Sequence, residues 1–345
     1  MCGTVSESQK QPEPARVRPK CDAVDDRRVR LGVFPTPLQS MTDWGVPSAG
    51  GADGEEILMV KRDDLAGFFV AGNKTRPLEF LIGDALATNA KTMIGCGTPG
   101  SNFIAALALA ARHAGLQCEL LIAGESQASI SLDIARTVGA RIHVTTLPRE
   151  DLDAAATERA EQLTADGNPA YPVPRGGASS TGCLGFAQAA VEIDEQLAGK
   201  PTTIVIPVGS GASVAGLCAG IMAHDLPHRV IGVSVSRPLQ QMRERIAELT
   251  TDCLRLLEAP TRDVAPMVAD HLTLIDRTEP PTAADLLIAH DAMRRYPFTV
   301  DLHYGLPAFS EAASWVAAHP GTSVVYWCTG GVLGYPELIN AMAAA

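Results

Sequence analysis

A lysine that follows a glycine turn is the residue of this chain best suited to covalent chemistry. Lys74 stands in the segment Ala71-Gly72-Asn73-Lys74-Thr75-Arg76, immediately before a run of apolar residues with helical spacing, which predicts that it lies where a loop becomes a helix. A lysine amine with its ordinary pKa of about 10.4 is a poor nucleophile at neutral pH, and an apolar environment lowers that pKa. Lys74 is therefore suited to imine formation with an aldehyde, although a solvated lysine in the first turn of a helix is the simpler alternative.

Two glycine-rich segments could bind an anion. The first is Gly95-Cys96-Gly97-Thr98-Pro99-Gly100-Ser101-Asn102, and the second consists of Gly209, Ser210, Gly211, Ala212 and Ser213. Each joins a predicted strand to a predicted helix, so unpaired backbone N–H groups and the positive end of a helix would face a ligand. Glycines also occur in such turns for conformational reasons alone, because they tolerate a positive φ.

A third segment supplies a hydroxyl group. Trp327-Cys328-Thr329-Gly330-Gly331 ends a predicted buried strand, and Thr329 is suited to an end-on contact with a ring. An aldehyde cofactor that carries a phosphate needs a lysine for its carbon, an anion site for its phosphate and a partner for its ring nitrogen. Together the three segments favour pyridoxal 5'-phosphate as the cofactor.

The first glycine-rich segment also fits the G-x-G-x-x-G pattern of dinucleotide sites, with Glu119 as the acid that would bind the ribose. Glu119 falls at the start of the following predicted strand, whereas ribose binding needs an acid at the end of that strand. A dinucleotide-dependent oxidoreductase also leaves Lys74 without a function. It is therefore the less favoured alternative.

These segments belong to a chain in which predicted strands and helices alternate. The predicted strands begin near Ile57, Thr92, Cys118, Arg141, Thr203, Val230, Leu272 and Ser323. The alternation predicts an α/β fold of parallel-rich twisted sheets with helices on both faces, in which ligands bind at the carboxyl ends of the strands. A Pro/Gly/Ser-rich passage from Asn168 to Gly182 interrupts the pattern and is interpreted as a hinge between domains.

The composition excludes several other classes of function. The 345 residues carry a net charge of −11 and 46% of them are apolar, which favours a folded protein with a small-molecule ligand and argues against nucleic acid or an anionic membrane as a partner. No apolar run reaches the roughly 18 residues of a membrane span. Residues 1–27 are polar and aperiodic without a signal sequence, so we expect a cytoplasmic protein with a disordered tail there. The scattered cysteines and histidines predict no metal site.

Taken in order, the motifs resemble the family of D-cysteine desulfhydrases and 1-aminocyclopropane-1-carboxylate (ACC) deaminases, which has the tryptophan synthase β-like fold (fold type II). The resemblance runs from about Arg28 to Ala345. The matching segments are Val60-Lys61-Arg62-Asp63-Asp64-Leu65, Gly72-Asn73-Lys74-Thr75-Arg76, Leu78-Glu79-Phe80, Ser101-Asn102, Gly176-Gly177, Gly209 to Gly216, Val233-Ser234-Val235-Ser236-Arg237-Pro238, Tyr304 and Thr329-Gly330-Gly331. The resemblance implies a homodimer of two-domain chains, with a large domain of residues 28–76 and 187–345 and a small inserted domain of residues 77–186.

The resemblance also implies which residues bind the cofactor. Lys74 would bind it covalently and afterwards move the Cα proton, and Asn102 would donate a hydrogen bond to its phenolic oxygen. The segment from Gly209 to Ser213 would bind the phosphate. Thr329 would face the pyridine nitrogen; because a hydroxyl, unlike a carboxylate, does not favour ring protonation, departure of a β leaving group would be easy.

On the substrate side, the resemblance implies that Ser101, Asn102 and the N–H groups around Gly100 receive the carboxylate of the substrate. Phe103 would lie beside them, where the family usually has histidine or glutamine. Tyr304 would be a catalytic residue, and Ser101 would share that role.

Other positions also depart from the family pattern. Residues 276–281 replace an expected loop rich in tyrosine and glycine. Tyr304 is followed by Gly305-Leu306-Pro307 instead of the Glu-Gly-Lys of ACC deaminases. Thr329 matches the desulfhydrases, whereas ACC deaminases tend to have leucine there. These differences point away from cyclopropane opening.

The resulting prediction is a pyridoxal-phosphate-dependent lyase that eliminates a β substituent from a small amino acid, with D-cysteine as the candidate substrate and pyruvate, sulfide and ammonia as products. The alternatives that keep the cofactor are β-replacement, another specialised biosynthetic step, ACC deamination and a catalytically weakened binding protein.

Overall fold

The computed structural model describes residues 28–41, 58–124 and 129–344, and the tail predicted at residues 1–27 lies outside these ranges. The strands are β1 (Leu38–Ser40), β2 (Leu58–Arg62), β3 (Thr92–Gly97), β4 (Gln117–Ala123), β5 (Arg141–Thr145), β6 (Ala170–Val173), β7 (Thr203–Val208), β8 (Arg229–Ser234), β9 (Leu272–Asp276) and β10 (Val324–Cys328). The helices are α1 (Thr75–Ala87), α2 (Asn102–His113), α3 (Ile130–Thr137), α4 (Leu152–Ala165), α5 (Ser180–Gln196), α6 (Ala212–Ala223), α7 (Leu239–Leu256), α8 (Val264–His271), α9 (Ala283–Arg295), α10 (Gly305–Ala318) and α11 (Tyr335–Ala344).

The larger sheet has six strands in the order β1-β2-β10-β7-β8-β9. All of its strand pairs are parallel except the antiparallel pair of β1 with β2. Side chains alternate between the two faces of a strand, so Ile204 and Ile206 pack with helices α5, α6 and α7, whereas Val205 packs with α9 and α10. Both faces of this sheet are therefore buried.

The smaller sheet has four parallel strands in the order β5-β4-β3-β6. Met93 of β3 packs with helices α1 and α2 on one face, and Ile94 packs with α4 on the other. Helices thus cover both faces of both sheets, which is the arrangement that buried parallel strands require. The predicted α/β fold class is confirmed.

Two elements differ from the sequence prediction. The passage interpreted as a hinge, residues 168–182, contains strand β6 and the start of helix α5. Pro172 lies within β6, where it is tolerated because β6 is an edge strand. Helix α8 is also absent from the prediction, and its Pro266 is compatible with a first helical turn.

None of the helices within the described ranges is long and apolar enough to cross a membrane.

Candidate active site

A cleft of about 510 Å3 lies at the carboxyl ends of strands from both sheets. Most of the residues singled out in the sequence line it: Lys74, Gly100, Ser101, Asn102, Phe103, Gly209, Ser210, Gly211, Ser213, Tyr304 and Thr329. Ala212 does not line the cleft, because its side chain packs into the core beside the larger sheet. The fold therefore brings together segments that are up to about 250 residues apart, as expected for ligand sites of parallel α/β folds.

Lys74 lies at the junction that the sequence predicts. Gly72–Lys74 forms a short 3-10 turn, and helix α1 begins at the next residue. Burial lowers the pKa of the Lys74 amine to about 8. Within the described ranges this amine has no hydrogen-bond or ion-pair partner. About a tenth of it is therefore neutral and nucleophilic at pH 7, far more than of an ordinary lysine.

The backbone around Gly72 fixes this turn against the end of strand β10. Gly72 has a φ of 53°, and a Cβ atom there would overlap the carbonyl oxygen of Thr329. The N–H of Asn73 donates to the same oxygen at 3.0 Å. The lysine turn and Thr329 thus touch through their backbones, which only a glycine at position 72 permits.

A buried network of charges lies beneath the turn. Arg76 donates from Nε to Oδ2 of Asp63 at 2.8 Å and from Nη1 to Oε2 of Glu192 at 2.9 Å. Trp327 of β10 donates to the same Asp63 oxygen at 2.8 Å, and Lys61 pairs with Glu192. Because Arg76 belongs to the first turn of α1, the network fixes the start of that helix, and with it Lys74, relative to β10. No local pattern in the sequence reveals this network.

The segment from Gly209 to Ser213 forms a turn at the start of helix α6. Gly211 is the N-cap residue, has a φ of 94° and, as a glycine, has no side chain with which to cap the helix. Two carbonyl oxygens of the turn accept hydrogen bonds, that of Gly209 from Ser236 Oγ (2.7 Å) and that of Ser210 from Arg245 Nε (2.9 Å). The uncapped helix end with its glycine-rich turn can receive an anion.

Ser101 and Asn102 open helix α2. Ser101 has the extended backbone of an N-cap residue, but its side chain makes no capping hydrogen bond. Simple helix capping therefore does not account for this serine. Phe103 is buried and its ring lies against Gly177, where a Cβ atom would be only 3.1 Å from the ring, so the pocket has an apolar wall at this position.

Tyr304 lies directly against the glycine turn. A Cβ atom at Gly209 would lie 2.9 Å from Cε1 of Tyr304, so the ring packs on the backbone of the turn. Burial raises the pKa of the Tyr304 phenol, and the carboxylate of Asp301 adds to the increase. The phenol is therefore protonated at neutral pH.

Asp301 is a buried carboxylate of the cleft that the sequence analysis misses. It accepts hydrogen bonds from the backbone N–H groups of Tyr304 at 2.7 Å and of Gly305 at 2.9 Å. These bonds cap the start of helix α10 and hold the backbone of Tyr304 in place. An aspartate four residues before a glycine-led apolar helix is the signal that would have identified it.

Several polar side chains of the cleft make no hydrogen bond or ion pair with the protein within the described ranges. Among them are Lys74, Ser101, Asn102, Ser213, Tyr304 and Thr329. Their donors and acceptors, together with the uncapped end of α6, fit an aldehyde cofactor that carries a phosphate and a ring nitrogen.

Glu119, the acid of the dinucleotide alternative, does not reach the cleft. Its carboxylate is fully buried on the smaller sheet and pairs with Arg159 at 3.0 Å, Arg141 at 3.1 Å and His143 at 3.1 Å. It lies near the amino end of β4, away from the strand ends where ribose would bind. The ribose-binding interpretation of Glu119 is therefore wrong.

Comparisons with known proteins give the same assignment as the geometry. Residues 29–279 match the family described as pyridoxal-phosphate dependent enzyme. A D-cysteine desulfhydrase of Klebsiella pneumoniae is 32% identical over 243 residues, covering 67% of this chain and 71% of that protein. A mitochondrial bifunctional D-cysteine desulfhydrase/1-aminocyclopropane-1-carboxylate deaminase of Arabidopsis thaliana is 27% identical over 340 residues, covering 91% and 80%. A crystal structure of an ACC deaminase homologue is similar with a TM-score of 0.81 at 28% identity, covering 92% of this chain and 95% of that one.

Proposed function

Since this chain belongs to the family of pyridoxal-phosphate dependent enzymes, we propose that it eliminates a β substituent from a small amino acid, with D-cysteine as the candidate substrate. Pyridoxal 5'-phosphate is its cofactor, and its similarity to the desulfhydrase and to the bifunctional enzyme identifies it as a lyase. With D-cysteine and water as reactants, the products are pyruvate, sulfide and ammonia.

The setting of Lys74 is the observation that carries this proposal. Its amine is unpartnered among the described residues, and burial lowers its pKa to about 8. It shares one cleft with the glycine turn at Gly209 and with the hydroxyl of Thr329. These three groups match the aldehyde carbon, the phosphate and the ring nitrogen of the cofactor.

Bound pyridoxal phosphate supplies an aldehyde for the substrate amino group and a ring that withdraws electrons from Cα. We assign the phosphate to the N–H groups of Gly209–Ser213 at the positive end of α6. Asn102 would bind the phenolic oxygen and Thr329 the ring nitrogen. Once released, the Lys74 amine would take the proton from Cα, because a base with a pKa near the working pH does this most effectively.

The other unpartnered groups of the cleft are assigned to the substrate. Ser101 and the N–H groups around Gly100, at the start of α2, would bind its carboxylate. Tyr304, whose phenol stays protonated, would donate a proton or a hydrogen bond on the side of the β substituent. Phe103 would exclude water beside the carboxylate.

Replacement of Lys74 tests the proposal. Lys74→Ala should abolish both the visible absorption of the lysine-bound cofactor and the formation of 2-oxo acid from D-cysteine. Lys91→Ala is the matched control, because Lys91 is exposed and does not line the cleft. Undiminished 2-oxo acid formation by Lys74→Ala would overturn the proposal.

Product analysis separates elimination from β-replacement. With an added thiol or amine, an eliminating enzyme still releases the 2-oxo acid and ammonia, whereas a replacing enzyme yields a new β-substituted amino acid. Assays with ACC test cyclopropane opening in the same way.

We also propose a cytoplasmic homodimer with residues 77–186 as an inserted domain. The smaller sheet falls wholly within that range, which supports the domain division. On the described surface, Val33 lies beside Gly67, and Leu65 and Phe69 flank Gly67 in the sequence. These three residues are exposed by 71%, 47% and 75%, and exposed apolar side chains of this kind suit contact with a second copy of the chain. Light scattering that gives the mass of a single chain would contradict the homodimer, and cell fractionation tests the location.

A further inference from the structure

Three arginines follow the carboxyl ends of three strands and line the same cleft. Arg149 follows β5, Arg175 follows β6 and Arg237 follows β8. Two of them therefore come from the smaller sheet and one from the larger. In a chain whose net charge is −11, such a local excess of positive charge marks a site for an anion.

Two of the three have no anionic partner. Arg175 is neutralised by Asp153, which accepts from Nη2 at 2.8 Å and from the backbone N–H of Arg175 at 2.8 Å. Across the described ranges, the guanidinium groups of Arg149 and Arg237 make neither a hydrogen bond nor an ion pair with the protein. An unpaired guanidinium in a concave site has donors available for a ligand.

The arginines are close enough to act on one another. Burial and the positive charges of Arg245, Arg175 and Arg149 lower the pKa of Arg237. Arg245 is held at the glycine turn, because its Nε donates to the carbonyl oxygen of Ser210. Mutual repulsion of the remaining charges would be relieved by an anion between them.

Nearby acidic residues relieve this repulsion only in part, because the charge of Asp153 raises the pKa of Arg237 by less than burial and the other arginines lower it. Asp301 is held by the backbone N–H groups at the start of α10, and Glu337 lies on α11. No ion pair joins either of them to an arginine within the described ranges.

The cofactor phosphate already has its own donors at Gly209–Ser213 and the end of α6. Arg149 approaches from the smaller sheet, and its charge acts on Tyr304, where it opposes the rise in pKa that burial causes. The three arginines, here called the arginine cluster, therefore extend from the Gly209–Ser213 turn towards Tyr304, the residue assigned to the β substituent.

We propose that Arg149 and Arg237 bind a second anionic group, carried by the β substituent of the substrate. The preferred substrates are then small amino acids with a carboxylate, phosphate or sulfonate on that side, which guanidinium groups bind through paired hydrogen bonds. This inference rests on the proposed function, because it concerns the same cleft and the same substrate.

Aspartate and asparagine test the inference, because they have the same shape and differ by one negative charge. Both enantiomers of each would be titrated into the holoenzyme by calorimetry, with phosphoserine and serine as a second pair. We expect the anionic member of a pair to bind at least about tenfold more tightly. In Arg149→Gln and in Arg237→Gln this preference should fall to about threefold or less.

Arg243→Gln is the control, because Arg243 is exposed on α7 and does not line the cleft. It removes the same charge and should keep the preference of the wild type. Because Arg149 is exposed, its variant tests the inference even if Arg237→Gln folds poorly.

Two results would overturn the inference. One is that no anionic probe binds more tightly than its neutral counterpart. Another is that both arginine variants bind the cofactor more weakly while, with the cofactor in excess, their anion preference is unchanged, which would assign the arginines to the cofactor phosphate. Either result leaves the proposed elimination standing as long as the wild-type protein keeps its lysine-bound cofactor, whereas absence of that bond in the wild type would refute the proposed function itself.

Discussion

The backbone N–H of Asn73 donates a hydrogen bond to the carbonyl oxygen of Thr329 at 3.0 Å. This bond joins the turn that carries Lys74 to the end of strand β10. The side chain of Trp327, two residues earlier on that strand, is joined through Asp63 to Arg76 of helix α1. Backbone and side-chain hydrogen bonds thus fix the positions of Lys74, the proposed covalent residue, and Thr329, the proposed ring partner, relative to each other.

Gly72→Ala should weaken the contact between the Lys74 turn and Thr329. The new Cβ atom would overlap the Thr329 carbonyl oxygen and would occupy a φ of 53°, so we expect a loss of about 2–4 kcal/mol in the free energy of unfolding and weaker cofactor retention. Gly139→Ala is the control, because Gly139 has a φ of 89° but open space around it. Urea unfolding and cofactor absorbance measure both effects. Equal losses in the two variants would contradict the proposed overlap.

Acid should destabilise the protein through Glu192. Burial acts to raise its pKa, but hydrogen bonds and charge from Arg76 and Lys61 hold it at about 2, below the ordinary value of 4.5. A lowered pKa means that the unfolded chain binds more protons in this window, so the stabilisation is complete above about pH 4.5 and is lost as pH falls towards about 2.

Urea unfolding across this pH range checks the effect. The slope of the free energy of unfolding against pH between about 2 and 4.5 should be smaller in Glu192→Gln than in the wild type. Identical slopes would show that the ion pairs of Glu192 do not account for the acid sensitivity.

The sequence predicts the residues of the candidate site better than the interactions that hold them in place. Lys74 and the turn at Gly209 are recognisable because each is a local pattern of a few residues that ends or begins a periodic element. The Asp63 network joins residues 264 positions apart, and the arginine cluster comes from three separate strand ends, so no local pattern reveals either. Strand β6 is hidden for a different reason, because its Pro172 reads as a break unless the strand is known to lie at an edge.

The rate of cofactor capture should follow the protonation of Lys74. Only the neutral amine attacks an aldehyde, and burial lowers the pKa of this amine to about 8. In protein freed of cofactor, the rate of imine formation should therefore rise about tenfold per pH unit below that value and level off above it.

Stopped-flow mixing with pyridoxal phosphate at a series of pH values gives this rate. Butylamine, whose amine is fully solvated, is the reference, and its rate should continue to rise above pH 8 or so. A protein profile that rises in parallel with butylamine would show that Lys74 is not desolvated in solution.

Tyr304→Phe should slow catalysis without removing the cofactor. The phenol packs on Gly209, and burial with the nearby Asp301 carboxylate keeps it protonated. If it donates a proton in the elimination, its loss should lower kcat about 10²-fold to 10⁴-fold, the usual contribution of general acid catalysis. The visible absorption of the bound cofactor should stay the same, because the ring and its packing remain.

Tyr171→Phe is the control for this substitution. Tyr171 donates to Asp84 at 2.6 Å and does not line the cleft, so its loss should affect stability and leave kcat unchanged. If Tyr304→Phe raises KM while kcat is retained, the hydroxyl binds the substrate equally in the ground state and the transition state and is not the proton donor. A proton donor must instead lower kcat, and the fall should be largest for substrates whose β substituent leaves as the strongest base, because these need protonation most.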